Sequence, residues 1–420
     1  MALKFRRATI AGAGLAGLSA AVQLVKSGVA VSIADAAAQA GGRCRSYRDP
    51  QLNLTIDNGN HLVLAGNAAV ARFRRTVGAI PPLAGPDHAD FAFADLRDGA
   101  RWTIRLNDGP LPWWVLANRR RVPGSRADDY LGLAGLLAGK PNDTVGERIN
   151  TGGPVWDKLI EPVLLAVLNT PPAQGSARLT MAVLKETLLR GGKASRPRIA
   201  EPSLGAAFID PAVAWLAAHR APVTLGRRLR GVTTQDDRVT ALDWGAGPEP
   251  VAGDEAVILA VPPWVARDLL PEISAPDAFH AIVNGHFACA PPPGVPAMLG
   301  VLGATAEWLF AFPDRISVTV SAADALVDRD REDLAGRFWD DIQRSYGFTA
   351  AMPRWQIVKE KRATFSATPA QDAKRPPAGT RWRNLFLAGD WTQTGLPATI
   401  EGALRSGETA ARLASGTGSR

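Results

Sequence analysis

Near the N-terminus a short apolar stretch, Ala8-Thr9-Ile10-Ala11, breaks at Gly12-Ala13-Gly14-Leu15-Ala16-Gly17 and gives way to residues 18–26, whose apolar positions recur at helical spacing. No other feature of the chain restricts its fold so strongly. A strand that turns this sharply into a helix needs a tight turn at Gly12, a bare backbone at Gly14 and close helix–strand contact at Gly17. A second apolar strand over residues 29–34 follows Gly28 and ends on Asp35. Together these make a βαβ unit. Its helix N-terminus suits a pyrophosphate, and Asp35 lies where a carboxylate accepts hydrogen bonds from ribose hydroxyls. An acid there also disfavours a 2′-phosphate, which argues against NADP.

The other end of the chain has the same grammar. Residues 384–390, Asn-Leu-Phe-Leu-Ala-Gly-Asp, read as a buried strand closing on Gly389 and Asp390, and residues 399–413 have the spacing of an amphipathic helix. Between the ends, residues 208–216 read as a helix, and residues 222–225, 229–233 and 256–261 as strands. At 420 residues the chain exceeds what one core usually supports. The expected fold class is α/β: a Rossmann-like nucleotide domain discontinuous in sequence (residues 1–75, 205–265 and 376–420), with an α+β substrate domain from residues 76–204 and 266–375.

Composition narrows the function. Hydrophobic residues at 46% and charged residues at 21% are ordinary for a globular protein. The net charge of +8 fits an anionic partner or merely an arginine-rich base composition, and no nucleic-acid-binding motif accompanies it. Cys44 and Cys289 are too few for a disulfide framework or a zinc site, so no metal is expected and a reducing, cytoplasmic setting is. The N-terminus lacks the apolar core of a signal peptide, and the apolar runs at residues 131–138 and 163–168 are too short to span a bilayer.

The segment Gly41-Gly42-Arg43, with Ser46 close behind, resembles one that follows the second strand in FAD-dependent amine oxidases and carotenoid desaturases. The resemblance implies FAD. Paired glycines let the backbone pass close to the cofactor, and Arg43 is either a donor to phosphate or flavin carbonyls or a solvated surface arginine. In the same superfamily an Ala-Gly-Asp segment sets its acid near the ribityl and pyrophosphate. By that likeness Gly389, Asp390 and the turn through Pro397, Ala398 and Thr399 embrace the flavin, and Leu229 touches adenine through its backbone. A helix N-terminus at the flavin pyrimidine would favour the reduced anion.

Residues 388–407, from Ala388-Gly389-Asp390-Trp391 to Arg405-Ser406-Gly407, are more specific. They are similar to the hydroxysqualene dehydroxylase family, also called squalene-associated FAD-dependent desaturases. Two further segments agree: Asp57-Asn58-Gly59-Asn60-His61, with Asn60 where the family pattern has glutamine, and Leu168-Asn169-Thr170-Pro171-Pro172. The resemblance implies non-covalent FAD, Asn58 and Gly59 beside the cofactor, an apolar isoprenoid substrate, and reductive loss of the hydroxyl of hydroxysqualene to give squalene. It leaves the electron donor unnamed. An acid must protonate the leaving hydroxyl. His61 is the first candidate because imidazole titrates near neutrality, although it could equally hydrogen-bond backbone. Asp57 and Glu401 are alternatives that could also cap a helix or bind a flavin hydroxyl. An amine oxidase is the nearest rival, but Thr399 stands where those enzymes commonly place a cage tyrosine. A desaturase or a non-catalytic flavoprotein scaffold shares the same motifs. Finally, Leu111-Pro-Trp113-Trp114-Val-Leu116-Ala-Asn-Arg119-Arg120-Arg121 sets aromatics beside a cationic cluster, which suits either peripheral contact with the inner face of the cytoplasmic membrane or a tryptophan core.

Overall fold

The computed structural model describes residues 4–416. Five parallel strands form the first sheet, in the order Leu385–Leu387, Glu255–Leu259, Arg7–Ala11, Ala30–Ala34 and Val223–Thr224. The strands come from both ends and the middle of the sequence, and each was expected within a few residues of where it lies. Leu15–Lys26 packs on one face as the glycine-turn helix, with Leu18, Val22 and Leu24 inaccessible to solvent. Burying each such side chain stabilises by about 1.5–3 kcal/mol relative to exposure.

The helix Ile400–Ser415 lies against this first helix, and contact is close because Gly407 has no side chain: a Cβ there would stand 2.2 Å from the carbonyl oxygen of Ala16. Ser19 Oγ then donates to the carbonyl of Leu404 at 2.8 Å, a bond between residues of opposite chain ends.

A seven-stranded sheet forms the second body, in the order Trp355–Phe365, Phe279–Phe287, Arg315–Val320, Trp308–Phe312, Met298–Leu302, Asp90–Asp95 and Arg101–Arg105. Its neighbours are antiparallel except Met298–Leu302 with Asp90–Asp95. The helix Arg331–Tyr346 buries Leu334, Phe338 and Ile342 in the apolar cluster that includes Val283, Phe287 and Val318 of the sheet. Aromatic side chains occupy a separate cluster, where Phe93 stacks on Trp102 at 5.5 Å and meets Trp308 edge-on at 5.7 Å. Among the described residues no helix is long and apolar enough to cross a membrane.

Candidate active site

The glycine turn is built as the spacing demands. Gly12 has φ +106°, and a Cβ on it would lie 2.3 Å from the carbonyl oxygen of Ala260; one on Gly17 would lie 1.9 Å from the carbonyl oxygen of Gly12. Gly14 differs. A Cβ there meets nothing within 4 Å, and no side chain caps the helix that begins at Leu15 and Ala16. Two glycines are thus excluded from bearing side chains by the protein itself, while the third leaves open space before an uncapped helix N-terminus. That combination fits a phosphate group approaching the backbone.

Asp35 is held beside the turn, accepting from the amides of Ala13 at 2.6 Å and Ala37 at 2.8 Å. The amides of Gly226 and Arg227 donate to the carbonyls of Ala37 and Asp35, and buried Leu229 follows two residues later in the chain. Gly41, at φ +108°, donates its amide to the carbonyl of Ala13 at 2.9 Å and bridges Gly14, so Gly42 follows directly alongside the first turn.

Arg43 then joins the two ends of the chain. Its Nη2 donates to Asp390 Oδ1 at 2.6 Å and its Nη1 to the carbonyl of Ala363 at 2.5 Å. Burial disfavours its charge, but the facing Asp390 carboxylate holds the guanidinium above its ordinary pKa. Asp390 is buried, and its carbonyl accepts from buried Arg375 at 3.0 Å. Gly389, at φ +155°, donates its amide to Ser406 Oγ at 2.8 Å. Beyond Pro397 and Ala398, Thr399 caps the last helix by accepting from the amide of Gly402 at 3.0 Å.

The Asp57–His61 segment lies between the two bodies. Asp57 is buried, accepting from Ser46 Oγ at 2.5 Å and the amide of Leu204 at 2.9 Å, and burial pushes its pKa up to about 6. Asn58 donates to Glu360 at 3.3 Å, and a Cβ on Gly59 would sit 3.0 Å from Asn284 Nδ2. Asn60 donates to Thr319 Oγ1 at 3.0 Å, which in turn donates to Asn284 at 2.8 Å. Burial, then the positive charge of Arg43, lower the pKa of His61 to about 4, with Asp390 opposing. The imidazole is therefore neutral at pH 7, and its ordinary titration near neutrality does not carry over to this position. Glu401 is a helix cap: it accepts from the amides of Ala69 and Val70, each at 3.0 Å, at the start of Ala68–Thr76, and pairs with Arg405.

The flavin-containing amine oxidoreductase family model matches residues 15–414. A hydroxysqualene dehydroxylase of Rhodopseudomonas palustris is 53% identical over 405 residues, covering 96% of this chain and 97% of that one. Another from Zymomonas mobilis is 49% identical, covering 96% and 98%. The chain belongs to the hydroxysqualene dehydroxylase family. Among solved structures, cyclohexylamine oxidase from Brevibacterium oxydans aligns with TM-score 0.71 at 16% identity, covering 98% of this chain and 99% of that one, which bears on the fold alone. As a member of this family the chain is a flavin-dependent oxidoreductase.

The family's middle segment has a structural task here. Asn169, at φ +47°, accepts from the amide of Ala322 at 2.6 Å and donates to Thr364 at 2.9 Å, tying the helix Glu161–Leu168 to the seven-stranded sheet. Glu360, Asn284, Thr319 and Arg375 escaped the sequence reading. The first three sit on the strands Trp355–Phe365, Phe279–Phe287 and Arg315–Val320, where no recognisable motif surrounds them, and Arg375 lies in a Lys-Arg-Pro-Pro run outside every motif.

Proposed function

We propose that the flavin is FAD, held without a covalent bond along the line from Asp35 through Gly14 and Gly42 to Asp390 and Thr399, and that the chain reductively converts hydroxysqualene to squalene. The observation that carries this reading is the full-length identity of 49–53% to proteins named for that reaction. A phytoene desaturase, by comparison, is 23% identical over a similar share of this chain. Gly12, Gly14, Gly17, Gly41 and Gly42 would let the backbone approach the pyrophosphate, with Leu15 and Ala16 offering amides. Asp35 would meet the ribose and Leu229 the adenine. Asn58, Gly59, Gly389, Asp390, Pro397, Ala398 and Thr399 would border the flavin half.

Non-covalent attachment is supported by the thiols. Both cysteines are free, and burial pushes the pKa of Cys44 up to about 12, so the thiol nearest the motifs is not a nucleophile. Free thiols also suit a reducing, cytoplasmic compartment.

When bound and reduced, FAD supplies the hydride. The chain must bind the allylic alcohol, deliver a proton to its oxygen so that water departs, and keep bulk water from the resulting delocalised cation. Atoms balance: one proton and one hydride enter, one water leaves. We assign the contact with the hydroxyl to His61. Asp57 is committed to Ser46 and Leu204, and Glu401 to the cap of Ala68–Thr76. We assign the nucleotide role to residues 1–75, 205–265 and 376–420, of which residues 1–3 and 417–420 lie outside the described residues, and the substrate role to residues 76–204 and 266–375. Anaerobic incubation of the chemically reduced protein with hydroxysqualene tests the reading. Squalene should form in step with flavin reoxidation; reoxidation without squalene, or neither event, rejects it.

A further inference from the structure

The paired tryptophans have separate fates. Trp114 is buried and meets Tyr130 edge-on at 5.3 Å, whereas Trp113 is 54% exposed beside it. Leu111 and Leu116, on the same loop, are 76% and 71% exposed, and Leu131, next to Tyr130, is 73% exposed. A second segment joins them. The amide of Gly192 donates to the carbonyl of Asn107 at 2.7 Å, which brings the turn bearing half-exposed Leu189 against the base of the loop.

Side-chain hydrogen bonds fix this loop. Asn107 Nδ2 donates to the carbonyls of Gly109 and Leu111, each at 2.9 Å, and its side-chain oxygen accepts from the amide of Trp114 at 3.3 Å. Ordered apolar side chains facing water in this number mark a contact surface.

Its charge selects the partner. Arg119, Arg120 and Arg121 form no ion pair among the described residues, and the Arg120 guanidinium lies over the Trp113 ring at 5.1 Å. Of the carboxylates nearby, Asp128 pairs with Arg126 at 3.2 Å and Asp108 with Arg196 at 3.7 Å, while Asp129 accepts from the amide of Arg126 at 2.7 Å. A second copy of the chain would set this arginine run against itself in a two-fold contact, an unfavourable arrangement. An anionic bilayer satisfies both halves, since leucine and tryptophan enter the interface while arginine heads stay at the phosphates.

We propose that the loop spanning residues 107–122, with Leu131 and Leu189, inserts into the surface of an anionic phospholipid bilayer. The inference is independent of the catalytic reading, because flavin binding and turnover of dispersed substrate do not require it.

Co-sedimentation of the holoprotein with phosphatidylcholine vesicles, with and without phosphatidylglycerol, tests it. The protein should partition more tightly onto the anionic vesicles, with roughly fivefold lost at low salt for each arginine changed to glutamine at positions 119, 120 and 121. The variant L111S/W113S/L116S, which alters exposed side chains and should keep its flavin absorbance, should lose at least about tenfold on both vesicle types. Wild-type protein remaining in the supernatant with anionic vesicles overturns the proposal. So does serine-variant binding equal to wild type, or a dimer that the serine variant abolishes while vesicles capture neither protein.

Discussion

His61 illustrates how a residue's chemistry depends on what surrounds it. With its pKa lowered to about 4, only about one molecule in a thousand carries the imidazolium at pH 7, and that fraction rises tenfold for each unit of acidification until the pH nears 4. If His61 gives up the proton, kcat/KM should climb as the pH falls from 7 toward 5, and His61→Gln should abolish the slope. Parallel profiles for the two proteins would remove His61 from proton delivery. Arg43 and Asp390 form a different kind of unit, an ion pair at 2.6 Å. Asp390→Asn leaves Arg43 without its anion, so flavin affinity should fall by at least about tenfold; adding Arg43→Gln should cost less than the sum of the single changes in a titration with FAD.

At the scale of elements, the glycine turn separates two functions that one motif hides. Gly12→Ala places a side chain at φ +106° and within 2.3 Å of a backbone oxygen. It should destabilise the protein by about 2 kcal/mol or more, read by denaturant unfolding of the apoprotein. Gly14→Ala meets open space. Apoprotein stability should change by less than about 0.5 kcal/mol, while FAD affinity falls at least about tenfold. Should both variants unfold alike, the space at Gly14 is not reserved for a ligand. Gly407 shows the same logic without a cofactor, since its missing side chain serves only the contact of two helices.

Across the whole molecule, the parallel sheet gathers strands from both ends and the middle of the chain, and the Asp57–His61 segment bonds to strands of the seven-stranded sheet. A ligand lying along this line should act as a clamp. At a hundredfold excess over Kd, FAD should stabilise the apoprotein by about 2.7 kcal/mol, seen as a rise in Tm. Heat or acid should then release yellow FAD into the supernatant; colour retained on the precipitated chain would show a covalent bond.

The sequence determined the elements whose local patterns are self-sufficient. Gly12, Gly14 and Gly17 between an apolar strand and helix announce a sharp strand-to-helix turn because that spacing satisfies a tight turn, an open backbone and close packing together. The terminal strand was legible from its apolar run, although it closes at Leu387, before Gly389 and Asp390. Tertiary structure decided everything that depends on distant neighbours. Glu401 became a cap for a helix more than three hundred residues earlier, His61 became neutral through burial and Arg43, and adjacent Trp113 and Trp114 parted toward water and core. Burial, charge pairing and exposure arise from residues remote in the chain, so no local spacing records them.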